Sequence, residues 1–339
     1  MHWSEVWEGN RLPYRLLRAS LIPFSLLYTS GWMIYESIYR FHLKQPKSPH
    51  SPIICVGNLM AGGSGKTPFV LYLSKILAEL GYEVVLSCSG YGSPVSREAQ
   101  VAPEGPLNPN KWGDEPAMIR WLNPELPLIV GRDRVLAATL CVHHFPRAVL
   151  LLDDGYQHLP LKKDLSILLE DSSMKNRKGL PAGPYRQPYS SLSRADLVLD
   201  KNADIKRKNT SGFDLNVLPP LFWTKKGEML PENSINGVKV YVLCGIGQPR
   251  KFLEALKRCG VEIIDQKLLP DHDPMTNLDL AGYFPENYPI VMTAKDWMKL
   301  KENHSVKEKE IWVAHYEIKA DPEDQFKLWI KQHIDEILC

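Results

Sequence analysis

The sequence lacks the cysteine spacings on which zinc sites and disulfide scaffolds depend. Its six cysteines lie far apart in a chain of 339 residues, and none of them belongs to a C-x-x-C pair. Several stand inside apolar runs, where cysteine behaves as a small hydrophobic residue. The sequence therefore favours neither a zinc site nor a disulfide framework, and the pattern is typical of a reducing compartment.

The chain also has little excess charge. Its formal net charge is +2, and its basic residues are scattered in pairs, whereas nucleic-acid-binding proteins usually gather them on one face. We therefore expect no nucleic-acid partner. Internal repeats and low-complexity tracts are missing as well, and the length suits two domains of ordinary size.

Near the N-terminus, the uncharged run at residues 19–35 falls short of the about 20 apolar residues that a spanning helix needs. It contains Pro23 and Gly31, and no cleavage pattern of the A-x-A type follows it. We interpret residues 1–46 as an N-terminal membrane-associating helix, with aromatic side chains at the headgroup level and arginines that contact anionic lipid. A helix that caps the domain core is the alternative.

What the sequence does contain is a regular alternation of strand and helix patterns, which is typical of a parallel sheet covered on both faces. The predicted strands cover residues 53–56, 83–87, 128–130, 148–152, 166–169, 196–199, 238–243, 261–264, 289–292 and 311–313. The predicted helices cover residues 67–80, 132–143, 249–259 and 322–337. A polar stretch at residues 201–237 reads as a linker between two α/β units, at residues 47–200 and 238–339.

The strongest local signal is a glycine-rich turn between a predicted strand and a predicted helix. It consists of Gly62, Gly63, Ser64, Gly65, Lys66 and Thr67. In a phosphate loop, glycines let backbone N–H groups turn toward phosphate oxygens, and the helix N-terminus adds partial positive charge. Lys66 can then reach the β- and γ-phosphates of a nucleotide, and the Thr67 hydroxyl can bind Mg²⁺. Met60 stands where the full pattern has glycine.

Two acidic pairs accompany this loop. Asp153 and Asp154 end an apolar strand, where a phosphate-loop protein places its second Mg²⁺ contact; an ordinary Asp-Gly turn is the alternative. Asp114 and Glu115 stand in a Gly-Asp-Glu-Pro segment between strands. A hydroxyl acceptor needs a carboxylate within hydrogen-bond reach to take its proton, and a solvated turn is the alternative for this pair.

Basic residues complete the candidate groups. Arg186 stands on a Pro- and Gly-rich loop, residues 179–188, and Arg132 and Arg134 stand at a strand-to-helix junction. Each can face phosphate, and for each a surface salt bridge is the alternative. His272, between two aspartates, belongs either to a metal site short of ligands, to a pair in which a carboxylate controls its charge, or to a plain turn.

Several motifs follow one another in a fixed order along the chain. The first half contains Val56-Gly-Asn58-Leu, the glycine-rich turn with Pro68, Gly90-Tyr91-Gly92, Gly113-Asp-Glu-Pro116, Val130-Gly-Arg-Asp-Arg134, Asp153-Asp-Gly-Tyr-Gln-His158 and Leu180-Pro-Ala-Gly-Pro184. The second half contains Cys244-Gly-Ile-Gly-Gln-Pro249, Pro270-Asp-His272 and Thr293-Ala-Lys-Asp296. Together they resemble the tetraacyldisaccharide 4'-kinase (lipid A 4'-kinase) family, from the N-terminal helix nearly to the C-terminus.

The resemblance implies an activity and a fold. The activity is Mg²⁺-dependent transfer of the γ-phosphate of ATP to the 4'-hydroxyl of a tetraacylated glucosamine disaccharide 1-phosphate, a late step of lipid A biosynthesis. The fold is a P-loop NTPase-like parallel-sheet lobe and a second, smaller α/β/α lobe, joined by a β linker and preceded by the membrane-associating helix. The implied partners are the acylated disaccharide lipid and a membrane surface, at the cytoplasmic face of the bacterial inner membrane.

The resemblance also implies residue roles. The nucleotide and metal side comprises the glycine-rich turn with Lys66 and Thr67, together with Asp153, Asp154 and Glu115. Asp114 would be the catalytic base, and His272 would pair with it from the second lobe. The substrate site would be lined by Asn58, Tyr91, Arg132, Arg134, Gln157 and Arg186.

Two positions depart from the pattern of the family. Ser89 stands where arginine is usual, which removes a positive charge near the phosphates, and Gln187 stands where glutamate is usual, which removes a possible Mg²⁺ contact. Two other functions stay open. One is a membrane-associated P-loop switch ATPase, a class that often carries lysine where Ala61 stands. The other is a P-loop kinase of a soluble metabolite, which would not need residues 19–35.

Overall fold

The computed structural model describes residues 3–62, 65–201, 212–270, 273–275 and 278–338. Three predicted site residues, Gly63, Ser64 and His272, lie outside these ranges. The described helices are α1 (Trp3–Glu8), α2 (Leu12–Arg40), α3 (Lys66–Glu79), α4 (Pro109–Trp112), α5 (Asp114–Leu122), α6 (Arg134–His144), α7 (Pro249–Arg258), α8 (Leu280–Tyr283), α9 (Ala294–Leu300) and α10 (Glu323–Leu338).

The strands of the described residues form two sheets. They are β1 (Ile53–Gly57), β2 (Val84–Cys88), β3 (Gln100–Val101), β4 (Leu128–Val130), β5 (Val149–Asp153), β6 (Leu165–Glu170), β7 (Leu197–Asp200), β8 (Asp214–Val217), β9 (Leu221–Thr224), β10 (Lys239–Cys244), β11 (Glu262–Leu268), β12 (Ile290–Thr293), β13 (Ile311–His315) and β14 (Ile318–Asp321). A nine-stranded sheet has the order β14-β8-β7-β6-β1-β5-β2-β4-β3, and a five-stranded sheet has the order β11-β10-β12-β13-β9.

The nine-stranded sheet is parallel except at its two edges. Strands β8 to β4 pair in parallel, whereas β14 and β3 run antiparallel to their neighbours. The central strands β1, β5 and β6 are buried along their whole length, because helices cover both faces of such a sheet and both faces must then be apolar. The molecule is therefore a mixed α/β protein with a large, mostly parallel sheet.

The helix that follows β1 ends where the sequence predicts. Gly81 has a φ of +89°, and its N–H donates to the carbonyl of Ala78 at 3.0 Å, while the N–H of Tyr82 donates to Leu77 at 3.0 Å. Glycine adopts this left-handed conformation without the penalty that a Cβ would bring, which makes it the common residue just past a helix end. Gly81 therefore ends α3, as the sequence predicts.

All predicted strands and helices are present, with ends shifted by a few residues. The Gly-Asp-Glu-Pro segment lies between strands β3 and β4, as expected, but the turn given as the alternative for its acidic pair does not form there: Asp114 begins helix α5. Acidic residues suit the first turn of a helix, where they interact favourably with the unpaired N–H groups. The prediction missed this helix because Gly113 and Pro116 are also typical of turns.

The chain passes between the two sheets more than once. Within the polar stretch at residues 201–237, β8 joins the nine-stranded sheet and β9 joins the five-stranded sheet. After β13 the chain returns, because β14 pairs with β8 and α10 packs on β14. Apolar residues of both sheets belong to one buried cluster. The predicted domain boundaries stay a prediction, and the pairing adds that residues 318–338 lie on the first sheet.

Helix α2 lies against the loop that carries Arg186. The Ser25 hydroxyl donates to the carbonyl of Gly179 at 2.7 Å, and the Tyr28 hydroxyl donates to the carbonyl of Arg186 at 2.8 Å. Elsewhere the helix presents apolar side chains to solvent, among them Leu12, Leu16, Phe24, Leu26, Leu27, Met33 and Ile34. Among the described residues, no helix combines the length and the hydropathy that crossing a bilayer requires.

Candidate active site

The site begins at the N-terminus of α3. Gly65 caps this helix in the left-handed conformation, with a φ of +78°. A Cβ on Gly65 would lie 2.5 Å from Cδ1 of Ile318, the first residue of strand β14. The left-handed φ together with this close approach of Ile318 explains why glycine stands here. Lys66 and Thr67 form the first turn, where the helix N–H groups have no intrahelical acceptor.

The Thr67 hydroxyl joins two carboxylates from distant parts of the chain. It lies 3.0 Å from Oδ2 of Asp153 at the end of β5 and 2.8 Å from Oε1 of Glu115 in the first turn of α5. Three segments that are 48 and 86 residues apart in sequence therefore meet at one oxygen atom. All three residues belong to the predicted metal side of the site.

Lys66 points toward a second acidic group. Its ammonium donates to Oδ1 of Asn58 at 3.1 Å and lies 3.6 Å from Oδ1 of Asp154. Arg186 binds Asp154 with both terminal nitrogens, at 3.0 Å each, and its Nη2 also donates to Asn58. The Gln157 amide donates to the carbonyl of Asn58 at 2.7 Å. Such charge-assisted, bidentate contacts fix the geometry of a carboxylate.

The two neighbouring aspartates differ in their ionisation. Burial, and next the charge of Glu115, raise the pKa of Asp153 to about 7. Burial also acts to raise the pKa of Asp154, but the positive charges of Lys66 and Arg186 outweigh it and hold that pKa below its ordinary value. Asp154 is therefore an anion that lysine and arginine already neutralise, whereas Asp153 is short of positive charge.

The loop at residues 179–188 is pinned to the segment before the glycine-rich turn. The N–H of Ala61 donates to the carbonyl of Pro184 at 2.7 Å, and the N–H of Arg186 donates to the carbonyl of Leu59 at 2.7 Å. Gln187, one of the two departures from the family pattern, is buried, and its Oε1 accepts from Arg194 at 3.2 Å. These contacts explain how a Pro- and Gly-rich loop holds Arg186 in place.

Beside Asp154 lies a polar pocket on the side of the sheet toward β2 and β4. It is lined by Ser89, Arg132, Arg134, Asp154, Gln157 and His158. Arg132 is exposed and stacks on the ring of Tyr91 at 4.8 Å. Arg134 is buried: Nη2 donates to the carbonyl of Asp153 at 2.6 Å and Nη1 to the hydroxyl of Ser87 at 3.0 Å. Arg134 thus supports the strand end, and a substrate contact for it stays a prediction.

Asp114 faces the second sheet from the start of α5. Its Oδ2 lies 3.9 Å from the ammonium of Lys299 on α9. The side chain of Asp114 is 27% exposed, so that part of the carboxylate remains open. The predicted pairing of Asp114 with His272 stays a prediction, because His272 lies outside the described residues.

The donor set fits Mg²⁺. Oδ1 of Asp153 is buried and has no hydrogen-bond partner within the part of the chain that the structure describes. With the Thr67 hydroxyl and Glu115 it offers hard oxygen ligands, which Mg²⁺ prefers. The described residues hold no cluster of three or more acidic, histidine or cysteine side chains placed to bind a metal. Mg²⁺ does not require one, since it commonly uses one or two carboxylates together with substrate phosphates and water.

Sequence reasoning did not select three residues that the structure brings to the site. His158 lines the polar pocket with a buried, unpartnered Nε2, and burial lowers the pKa of its imidazole; its place in the Asp-Asp motif was the available signal. The ammonium of Lys201, at the end of β7, lies 3.4 Å from the position of a Cβ on Gly65. Lys299 lies near Asp114, and nothing in the local sequence distinguishes it from a surface lysine.

Comparison with known proteins gives one consistent answer. The family described as Tetraacyldisaccharide-1-P 4'-kinase (LpxK) matches residues 17–335. The tetraacyldisaccharide 4'-kinase of Pelobacter propionicus is 34% identical over 292 residues, covering 80% of this chain and 79% of the relative. That of Coxiella burnetii is 33% identical over 295 residues, covering 86% and 84%.

A solved structure agrees with the sequence relatives. The crystal structure of LpxK from Aquifex aeolicus, described as an apo form in complex with ATP, superimposes with a TM-score of 0.81 at 27% identity. The match covers 94% of this chain and 99% of the Aquifex chain. The family match, the relatives and the shared fold all agree: this chain belongs to the tetraacyldisaccharide 4'-kinase family.

Proposed function

We propose that the site at the N-terminus of α3 performs the reaction of the family. The chain is an ATP-dependent tetraacyldisaccharide 4'-kinase, a transferase of lipid A biosynthesis. Beyond family membership, one observation supports the proposed chemistry most. The Thr67 hydroxyl lies within 3.0 Å of both Asp153 and Glu115 at the start of α3, next to Lys66. This is the combination that phosphoryl transfer needs for positioning and charge neutralisation.

On the nucleotide side, the glycine-rich turn and the first N–H groups of α3 would bind the phosphates of ATP. Lys66 would move from Asp154 to the β- and γ-phosphates, since the phosphates carry more negative charge than one carboxylate. Thr67, Asp153 and Glu115 would hold Mg²⁺. When bound, the ion would neutralise charge on the β- and γ-oxygens.

On the acceptor side, the polar pocket beside Asp154 would bind the sugar headgroup. Arg132 and Gln157 offer hydrogen-bond donors there, Arg186 lies next to the pocket on Asp154, and the ring of Tyr91 offers an apolar face for a sugar. Asp114 would take the proton of the 4'-hydroxyl as the γ-phosphoryl group leaves ATP. A hydroxyl can reach this side chain, because 27% of it is exposed.

The finer architecture and the place of action belong to the same proposal. The nine-stranded and five-stranded sheets would act as two lobes on either side of the bound nucleotide. Helix α2, with its exposed apolar side chains, would rest on the cytoplasmic face of the inner membrane, where an acylated disaccharide lipid is embedded. Exposed apolar surface of this extent is typical of a binding surface.

A labelled-phosphate assay tests this proposal. Purified protein is mixed with γ-labelled ATP, Mg²⁺ and disaccharide lipid acceptor in detergent, and label is expected on the unphosphorylated end of the lipid. The Asp114→Asn variant is expected to turn over about 10²–10⁴-fold more slowly while its Kd for ATP stays the same. The matched control is Glu125→Gln, an exposed acid beyond the other end of α5. Hydrolysis of ATP without acceptor, at the same rate, would instead support a switch ATPase.

A further inference from the structure

A lysine from the second sheet lies deeply buried beside the proposed base. The side chain of Lys299 is 5% exposed, and its ammonium lies 3.9 Å from Oδ2 of Asp114. It also donates to the carbonyl of Asp273 at 2.8 Å. Burying an ammonium is costly unless it is paired. The buried ammonium of Lys299 is therefore stabilised by the carboxylate of Asp114 and the carbonyl of Asp273. Asp114 is also the residue proposed to accept the proton of the substrate hydroxyl.

The helix that carries Lys299 has a well-defined position. Thr293 caps α9, because its hydroxyl oxygen accepts from the N–H of Asp296 at 3.2 Å and donates to Oδ2 of the same residue at 2.7 Å. The same Oδ2 accepts from the N–H of Gly245 at 3.2 Å. Trp297 and Met298 are buried in the core. Because α9 is fixed to the five-stranded sheet and packs on α5, Lys299 reaches Asp114 from a rigid support.

The two contacts of Lys299 differ in kind. At 2.8 Å the contact with the carbonyl of Asp273 is a hydrogen bond, whereas 3.9 Å to Asp114 is an ion pair without a direct hydrogen bond. The turn at Asp273 is itself ordered, since the N–H of Met275 donates to Oδ1 of Asp273 at 2.8 Å. Lys299 therefore restrains Oδ2 of Asp114 electrostatically, whereas Oδ1 takes no part in this ion pair and can meet a hydroxyl.

We propose that Lys299 is a positioning residue for phosphoryl transfer, which holds the Asp114 carboxylate in a reactive orientation by bridging it to the backbone of Asp273. This inference rests on the proposed function. A base displaced by about 1 Å can lose about 10²-fold in rate, so a charge that holds the Asp114 carboxylate at 3.9 Å bears directly on the rate. Lys299 does not touch the substrate in this account; it acts through Asp114.

The test compares four variants in the labelled-phosphate assay with saturating Mg²⁺. Lys299→Met is expected to lower kcat at least 10-fold while KM for ATP changes less than 3-fold. Lys299→Arg, which keeps the charge, is expected to recover most of that loss. In an Asp114→Asn background, Lys299→Met is expected to add less than a 3-fold loss, because the residue that it positions is already inactive. Lys301→Met, just beyond α9, is the control and is expected to leave kcat unchanged.

Each outcome bears on one claim. Absence of transfer by the unaltered protein would overturn the proposed function, whatever the variants do. Transfer by the unaltered protein together with a kcat within 2-fold in Lys299→Met would overturn the inference alone. The inference would also be overturned if the loss in the Asp114→Asn, Lys299→Met double variant equalled the product of the losses in the two single variants. If Lys299→Met does not fold, Lys299→Gln, which keeps a donor for Asp273, takes its place under the same thresholds.

Discussion

The Thr67 hydroxyl faces two carboxylates but has one proton to donate. Its oxygen lies 2.8 Å from Glu115 and 3.0 Å from Asp153, and a hydroxyl can donate only one hydrogen bond at a time. One carboxylate is therefore left without this donor at any moment. Two acids held this close repel each other when both are ionised, which contributes to the raised pKa of Asp153. A divalent cation bound to both carboxylates would neutralise this repulsion.

This geometry predicts the behaviour of Thr67→Val, which keeps the shape of the side chain and removes the hydroxyl. We expect kcat/KM to fall at least 10-fold, and the Mg²⁺ concentration for half-maximal rate to rise, because the proposed Mg²⁺ ligand and the hydroxyl that donates to one of the two acids are lost together. Thr67→Ser keeps the hydroxyl and serves as the control. A Mg²⁺ titration of the initial rate measures both effects, and equal Mg²⁺ dependence in the valine and serine variants would contradict the assignment.

His315, the last residue of strand β13, is expected to make the free energy of unfolding depend on pH. Burial lowers its pKa to about 4, below the ordinary value of about 6.5 in an unfolded chain. As the pH falls below 6.5, the unfolded chain takes up a proton that the folded protein does not, so the free energy of unfolding decreases until the pH reaches the folded pKa. We expect this residue to account for roughly 1–2 kcal/mol of lost stability between pH 7 and pH 5.

Urea unfolding at both pH values, compared between the unaltered protein and His315→Gln, measures this contribution. The glutamine variant should lose less stability on acidification, whereas His144→Gln, which changes an exposed histidine on α6, should not alter the pH dependence. An identical loss in the unaltered protein and His315→Gln would show that burial of His315 does not couple folding to pH.

Among the elements, α2 is unusual because it is long and mostly exposed. It has 29 residues, and Ser25 is the one that is buried. Most of its fixed contacts go to the loop and turn at residues 179–194. Its apolar residues therefore contribute little to the core. Binding to something other than this chain, such as a lipid surface, accounts for them better.

If α2 rests on a membrane, a charge on its exposed side should weaken binding to lipid vesicles. Leu27 is 74% exposed, and we expect Leu27→Glu to lower the vesicle-bound fraction several-fold, since burying a carboxylate in the interface is costly. Leu328→Glu introduces the same change at a similarly exposed leucine, 68% exposed on α10. Co-sedimentation with anionic vesicles measures both, and equal binding of the two variants would contradict a membrane role for α2.

The elements also show which parts of the fold the sequence can predict. Strand β5 and the carboxylates at its end were predictable because this apolar run, ended by Asp153, is too short for a helix and has the length of a buried strand. Helix α5 was not, because its first turn combines Gly113 with Pro116. The pairing of β8 and β9 with different sheets could not be predicted either, since such short strands gain their structure from partners about 100 residues away, such as β14 with β8.

The candidate site divides in the same way. The glycine-rich turn, Asp153 and Asp154 are adjacent in sequence to strand ends, so local pattern was enough to select them. Lys299 carries no local signal, because its role follows from the packing of α9 on α5. The order of motifs along the chain identified Asp114, whereas its neighbours in sequence pointed equally to a solvated turn.

At the scale of the whole molecule, the C-terminal strand and helix pack on the sheet that carries the glycine-rich turn. Strand β14 and helix α10 follow the five-stranded sheet in sequence but pack on the nine-stranded one, where Ile318 contacts Gly65 beside the phosphate loop. The buried side chains that hold α10 there are Phe326, Ile330 and Ile334. Phe326 is fully buried, and its ring centroid lies 6.1 Å from that of Phe69 on α3 and 5.5 Å from that of Phe213.

This arrangement predicts that a change near the C-terminus weakens the domain that contains the nucleotide site. Phe326→Ala leaves a cavity among packed rings, and we expect it to lower the free energy of unfolding by about 3–5 kcal/mol. Leu328→Ala, two residues further along the same helix and exposed, should change it by less than about 0.5 kcal/mol. Urea unfolding followed by tryptophan fluorescence, with and without ATP and Mg²⁺, measures both. If Phe326→Ala were as stable as Leu328→Ala, α10 would not be part of the core that fixes α3, and the support of the phosphate loop would have to come from elsewhere.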